Sequence, residues 1–166
     1  GACALITEHG LQALEDLPII VRSQSRVRGK GGMRDKVTNQ VDGAGLAVIL
    51  REWIGERDKN EVLVVIEKCQ AMPGKIKGSD KAQSSAGTFS LGLSAGIIEG
   101  VVAAKGLPHK LVHPATWKAH FKLATGKDAA RSLAVRLYPG ADISRKKDHN
   151  RAESILLARY GHDLNA

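Results

Sequence analysis

The segment VLVVIE, residues 62–67, is a short apolar run of valine, leucine and isoleucine that ends in a carboxylate. An uninterrupted run of this length is typical of a central strand that is covered on both faces. Glu67 therefore stands where a strand ends, and burying a carboxylate there is costly unless the group is paired or binds a metal ion. We interpret Glu67 as a candidate metal ligand, with a solvated acid at a strand end as the alternative.

Further strands are predicted ahead of this segment, at residues 2–7, 11–15 and 18–22. Short apolar stretches separated by turn residues, here at 9–10, favour an antiparallel meander. Another short strand is predicted later in the chain, at 110–112. Because strands and helices alternate in a mixed order, the pattern predicts an α/β fold. Its mixed central sheet would combine the antiparallel meander with parallel strands and be flanked by helices.

Helices are predicted where apolar side chains recur at helical spacing. Asp42 is a suitable N-cap for the first of them, and Gly161 is a natural end for the last. A shorter helical turn can begin near Pro114, because proline is tolerated in the first turn of a helix. The four longer helices are expected at about residues 43–56, 83–105, 127–138 and 149–160.

The composition is that of an ordinary globular domain of 166 residues. With 43% hydrophobic and 25% charged residues, the chain is expected to bury a core and to fold as a single domain over residues 1–166. No run of about 18 apolar residues stands out, so no membrane span is expected. Two cysteines without metal-binding neighbours argue against a disulfide framework and a zinc site, and they favour an intracellular compartment.

The formal net charge of +8 and the isoelectric point of about 9.7 favour a polyanionic partner, of which nucleic acid is the commonest. Much of this charge lies in residues 22–36, where a single acid, Asp35, stands among basic residues and glycines. We interpret this segment as a flexible loop or hairpin that contacts phosphates; the alternative is a solvated surface loop. Its basic residues are Arg22, Arg26, Arg28, Lys30, Arg34 and Lys36.

A second acidic element is the segment KKDHNRAES, residues 146–154. Asp148 precedes the last predicted helix, while His149 and Glu153 are four residues apart and share one helix face. Carboxylates that converge from different elements can hold two hard cations, which clamp the attacking water and the leaving oxygen of a phosphodiester. Oxygen ligands suit Mg²⁺, for which Mn²⁺ can substitute. The alternative interpretation is an amphipathic helix with a polar start.

Three segments together resemble RuvC-like Holliday-junction resolvases, especially those of phages and of the monokaryotic chloroplast branch. They are VVIEKCQAMPG (64–74), HPATWKAHFKL (113–123) and RKKDHNRAESILLARYG (145–161). The resemblance covers most of the chain. It implies an RNase H-like fold, a homodimer, and Mg²⁺-dependent cleavage of paired strands at a four-way DNA junction. Such an enzyme is expected in the cytoplasm and nucleoid, or in the nucleoid of an organelle such as the chloroplast.

The resemblance also implies roles for the acidic residues. Glu67 corresponds to the strand-end catalytic glutamate, Asp148 and Glu153 to the acids around the final helix, and His149 to a ligand or a residue that supports one. We choose Lys118 as the lysine nearest the scissile phosphate, where it would stabilise developing negative charge. The expected catalytic residues are thus Glu67, Asp148, Glu153 and Lys118, and the expected metal ligands are Glu67, Asp148, Glu153 and His149.

Basic and polar residues near these acids are expected to bind DNA. In the loop after the strand, Gln70 can hydrogen-bond a base edge and Met72 can wedge against a base, although either can equally belong to an ordinary loop. The expected nucleic-acid contacts are Arg26, Arg28, Lys30, Gln70, Met72, Lys75, Lys77, Lys122, Lys146 and Lys147, with Lys127, Arg131, Arg145 and Arg151 as a basic floor around the acids.

The long helix predicted at 83–105 carries Gly92, Gly96 and Gly100, one small residue at every fourth position. Small residues leave a groove in which another backbone can approach closely. The resemblance favours a homodimer through this helix, and the alternative is packing against the protein's own sheet. A two-fold symmetric dimer would present two active sites to a two-fold symmetric junction.

The resemblance is incomplete at one point. The family's first catalytic aspartate lies in a motif such as D-P-G-x-S/T-G, and the segment that begins at Gly1 resembles the continuation of that motif. The aspartate is therefore expected just ahead of Gly1, and the chain without it is expected to bind metal poorly. Two other functions remain open: a non-catalytic RNase H-like module that binds branched DNA, and another nuclease of the RNase H class, acting on RNA–DNA hybrids or as a transposase.

Overall fold

The computed structural model describes residues 1–29, 31–69, 85–124, 126 and 128–165, and it contains both strands and helices. In chain order the elements are β1 (Ala2–Thr7), β2 (Gly10–Asp16), β3 (Ile19–Gly29), β4 (Gly32–Val41), α1 (Gly43–Ile54), β5 (Val64–Glu67), α2 (Ser85–Ala104), β6 (His109–Val112), α3 (Pro114–His120), α4 (Ala129–Leu137) and α5 (His149–Asn165). Two short 3₁₀ turns, Lys59–Glu61 and Lys146–Asp148, precede β5 and α5. The predicted combination of antiparallel strands, parallel strands and helices is confirmed.

Among the described residues the strands pair in three separate two-stranded sheets, which contradicts the predicted meander of the first three strands within one central sheet. β1 pairs with β2 and β3 with β4, both antiparallel, while β5 and β6 are parallel. β3 does not continue the β1–β2 pair because Pro18, which has no backbone N–H to donate, lies between β2 and β3. β3 instead pairs with β4, from Ile19 opposite Val41 to Gly29 opposite Gly32, so the hairpin extends beyond the loop or hairpin predicted at 22–36.

Helix α5 forms the centre of the hydrophobic core. Its side chains Ile155 and Leu156 are fully buried, together with Trp117 of α3. Burying each of these large side chains contributes about 1.5–3 kcal/mol to stability. Apolar residues of β1, β2 and β5 pack against the same core, among them Ile6 and Val65. One helix therefore supports both the β1–β2 pair and the strand that carries Glu67.

Helix α5 continues through Gly161 to Asn165, so the prediction that Gly161 ends the helix is wrong. A Cβ atom at this glycine would lie 2.5 Å from Cγ2 of Val65 in β5. The glycine is therefore needed for the close approach of α5 to β5, and its sequence signal was mistaken for a helix end.

We expect Gly161→Ala to lower the free energy of unfolding by up to about 2 kcal/mol, measured by urea denaturation. Overpacking against Val65 costs about 1–3 kcal/mol, while the gain in helix propensity returns only about 1 kcal/mol. The matched test repeats the substitution in a Val65→Ala background, where the steric conflict is relieved and the loss should shrink. An equal loss in both backgrounds would contradict this account.

Helix α2 exposes much of its surface. In the part of the chain that the structure describes, nothing lies within 4 Å of the positions that Cβ atoms would take at Gly92, Gly96 and Gly100. These glycines therefore do not pack against the protein's own sheet there. The 18-residue window Gly87–Ala104 has a mean hydropathy of 1.4 and is only 6% buried, so by length and composition it could cross a membrane. The window is not an uninterrupted apolar run, because it contains Glu99 and three serine or threonine residues, and the expectation of no membrane span stays a prediction.

Candidate active site

Glu67 lies at the last position of β5, as the sequence predicts. In the parallel pair it stands opposite Val112, the last residue of β6, and α3 begins two residues later at Pro114. The first turn of α3 is thus brought to the edge where Glu67 ends its strand. Trp117 Nε1 donates a hydrogen bond of 2.9 Å to Oε2 of the Glu67 carboxylate.

Lys118 and Glu153 form an ion pair, with Lys118 Nζ 3.0 Å from Glu153 Oε1. Both side chains are partly exposed, at 41% and 34%. Lys118 directly follows Trp117 in α3, so two successive residues of one helix contact the carboxylates of Glu67 and Glu153. The structure therefore brings three of the four expected catalytic residues, Glu67, Glu153 and Lys118, into one neighbourhood.

Asp148 is engaged in a different contact. Its side chain is only 4% exposed, and its carboxylate accepts hydrogen bonds from the backbone N–H of Arg145 at 2.9 Å and from the guanidinium Nε of Arg145 at 3.1 Å. The hydrogen bond from the Arg145 side chain holds the pKa of Asp148 below its ordinary value, against the opposing effect of burial. A cation that used this carboxylate would have to compete with Arg145.

The acidic residues do not form a complete metal cage within the described ranges, where no group of three or more histidine, cysteine, aspartate or glutamate side chains could hold an ion. His149 is exposed at the first position of α5, one turn ahead of Glu153. Glu67 and Glu153 supply carboxylate oxygens, the donor type that Mg²⁺ prefers. The donor chemistry thus fits a hard cation, but these two side chains alone fall short of the number of ligands that such an ion takes.

The residues expected to contact DNA lie in several places. Arg26 and Arg28 are exposed on β3, and Arg26 lies 3.6 Å from Asp35 across the hairpin. The segment predicted as a basic loop or hairpin is therefore a hairpin. Three exposed lysines lie closer in sequence to Asp148 and Glu153 than these arginines do. Lys122 follows α3, and Lys146 and Lys147 directly precede Asp148. Lys30, Gln70, Met72, Lys75, Lys77 and Lys127 lie outside the described residues.

Three arginines of the expected basic floor form ion pairs with acids. Arg151 bridges Asp16 at 2.9 Å and Asp142 at 2.7 Å, joining the end of β2 to α5. The hydrogen bond from Arg151 lowers the pKa of Asp16. Arg131 lies 3.6 Å from Asp128, and Arg145 holds Asp148 as described above. Of these contacts, the one between Arg151 and Asp16 joins segments far apart in sequence and has no signal in its spacing, whereas Arg131–Asp128 and Arg145–Asp148 are each three residues apart.

Trp117 is the residue at this site that sequence reasoning missed, because an apolar aromatic side chain in a short helix is normally interpreted as packing. It does pack, since it is fully buried. Its position directly before Lys118 was the available signal: any helix that places Lys118 beside an acid also carries the indole N–H to that region.

Comparison with known proteins adds no assignment. No protein-family model matches the chain, and no curated protein matches it significantly.

Proposed function

We propose that this protein is a structure-selective DNA endonuclease that resolves Holliday junctions by Mg²⁺-dependent, paired hydrolysis of phosphodiesters, on an RNase H-like fold. One observation carries the proposal: Trp117 and Lys118, successive residues of α3, contact the carboxylates of Glu67 and Glu153 at 2.9 and 3.0 Å. Two acids and a lysine converge from a strand end and two helices. The formal net charge of +8 suits a partner rich in phosphates.

The chemistry follows from these groups. Glu67 and Glu153 would hold divalent cations, which activate a water and stabilise the leaving oxygen when bound. Lys118 would leave Glu153 as the cations bind and turn its ammonium group toward the scissile phosphate, where it stabilises negative charge that develops during hydrolysis. Exposed lysines such as Lys146 and Lys147 would bind neighbouring phosphates, each contact making DNA affinity more sensitive to salt.

A further carboxylate would complete the site. Among the described strands, β1 pairs only with β2 and β5 only with β6, although both β1 and β5 lie against α5. A strand added to the open edge of β5 would run directly beside Glu67. In the resembled family an aspartate in a D-P-G motif supplies this carboxylate, and a strand paired with that edge of β5 would bring it beside Glu67.

A non-catalytic module that binds branched DNA is the second candidate function. The contact of Asp148 with Arg145 favours it, because it engages one of the expected metal ligands in a structural ion pair at the start of α5. Such a module would retain the basic surface and bind junctions without cutting them.

The test uses synthetic substrates with the chain, and with a form extended at its N-terminus by a strand that carries the D-P-G motif. Each is incubated with a four-way junction, a linear duplex and an RNA–DNA hybrid, in Mg²⁺ and in EDTA. Paired nicks in the junction alone, lost in EDTA, are the expected result for the extended form. Tight junction binding without cleavage would favour the binding module, and preference for the hybrid would indicate a different nuclease of the RNase H class.

We also propose that α2 forms the interface of a homodimer. Phe89 and Leu91 are 64% and 46% exposed, and the glycines of α2 leave room for a second backbone. Light scattering should give a dimer for the wild type and a monomer for Leu91→Glu, while Val135→Glu, on an exposed position of α4, should stay dimeric. A wild-type monomer would contradict the proposal, and co-flotation of the wild type with lipid vesicles would indicate that this helix contacts membrane instead.

A further inference from the structure

Trp117 combines complete burial with a hydrogen bond to an exposed carboxylate. Its side chain is 0% exposed, whereas Glu67 lies at an exposed strand end. A buried indole N–H usually finds an acceptor. That acceptor is commonly a backbone carbonyl, which is neutral and brings no charge next to the core. Here the acceptor is a carboxylate 50 residues away in the chain, at 2.9 Å.

We propose that Trp117 is a positioning residue for Glu67. Its indole N–H holds Oε2 of the carboxylate in one place, which would leave Oε1 available to a divalent cation. The consequence for cleavage rests on the function proposed above, whereas the hydrogen bond and its effect on the carboxylate do not.

The rigidity of the indole is the physical reason. A glutamate at a strand end can adopt several rotamers. A metal site that depends on this side chain is weaker when the carboxylate is distributed among them. A charge-assisted hydrogen bond is stronger than one between neutral groups, and its donor here cannot move because the ring is enclosed by the core around Ile155 and Leu156. The core thus restricts the position of the Trp117 indole, and the indole N–H restricts the position of the Glu67 carboxylate.

Helix α3 also positions Lys118, which contacts Glu153 at 3.0 Å. Because Lys118 directly follows the buried Trp117, the burial of Trp117 also fixes the backbone position from which the lysine side chain extends. Groups that orient metal ligands from behind typically change metal affinity or activity by about 10- to 100-fold when removed. A tryptophan that only fills the core would have no such effect once the volume of its ring is retained.

The first experiment observes the hydrogen bond directly, without metal or DNA. The chain has two tryptophans, so the indole proton of Trp117 is assigned by comparison with Trp53→Phe. In the wild type this proton should resonate downfield and exchange slowly with solvent, because it is held by the Glu67 carboxylate. Glu67→Ala removes the acceptor and should move the resonance upfield and speed hydrogen exchange, while Glu67→Gln keeps a neutral acceptor and should move the resonance less and keep exchange slow. A resonance that is the same in all three proteins would overturn the proposal.

The second experiment measures the consequence. Trp117→Phe keeps most of the ring but removes the donor, and it should weaken Mn²⁺ binding in calorimetry about 10-fold or more while leaving the affinity for junction DNA in EDTA unchanged. Trp53→Phe is the matched control and should change neither. Unaltered Mn²⁺ affinity in a folded Trp117→Phe protein would overturn the positioning role. If the wild type binds Mn²⁺ but cuts no DNA, the proposed nuclease function fails and the positioning role stands.

Discussion

In the extended form that is expected to cut, replacing Glu67 by glutamine should reduce Mg²⁺-dependent cleavage of a four-way junction by at least about 100-fold, because changes even behind a metal ligand cost up to about that factor. Glutamine keeps the size of the side chain and an acceptor for the Trp117 N–H, but it removes the negative charge that would hold the cation. Binding of the junction in EDTA should change little. The measurement is the single-turnover rate with each strand labelled.

The matched control is Glu61→Gln. Glu61 is also an exposed glutamate, but it lies in the 3₁₀ turn ahead of β5, at the opposite end of that strand from Glu67. The Glu61→Gln protein should cut the junction at the wild-type rate. Cleavage by Glu67→Gln within a few-fold of the wild type would remove Glu67 from the site and, with it, the observation on which the proposed function depends.

Replacing Lys118 by methionine should slow cleavage by about 100- to 1,000-fold, the loss typical of a group that stabilises charge in a transition state. The same change frees Glu153 from its 3.0 Å ion pair. Mn²⁺ affinity should therefore hold or rise while the rate falls, a combination that general disruption of the site would not produce. Calorimetry and single-turnover kinetics on one preparation measure both quantities.

Lys59→Met provides the control, since Lys59 is exposed in the turn ahead of β5 and carries the same charge. It should leave both the rate and the metal affinity unchanged. If Lys118→Met instead loses metal affinity in proportion to its rate, Lys118 acts by holding Glu153 in place, and the lysine that faces the phosphate must be sought elsewhere.

The local signals in the sequence predicted most individual elements. Asp42 is the N-cap of α1, its carboxylate accepting a hydrogen bond from the backbone N–H of Ala44 at 3.0 Å. Glu67 ends β5, and α3 begins at Pro114. Caps, prolines and short apolar runs act over a few residues, so their effects are visible without knowledge of the fold.

Predictions that depended on distant partners were less successful. Gly161 carries the ordinary signal of a helix end, yet its role is to let α5 approach Val65. A local contact was missed as well: the carboxylate of Asp148, which has the expected position ahead of α5, accepts hydrogen bonds from Arg145, three residues earlier. The β3–β4 hairpin also extends beyond the loop or hairpin predicted at 22–36, because the polar, charged sequence of β4 lacks the apolar alternation of a half-buried strand.

The sequence by itself determined the order of strands and helices, the strongly basic character, and the acids worth testing, because these depend on residue type and short spacing. Only the tertiary structure decided that Trp117 and Lys118 reach Glu67 and Glu153, that Arg151 joins Asp16 to α5, and that α2 is largely uncovered among the described residues. The reason is geometric: side chains separated by tens of residues meet only after α5 has buried its apolar face, and no local pattern specifies which groups that packing brings together.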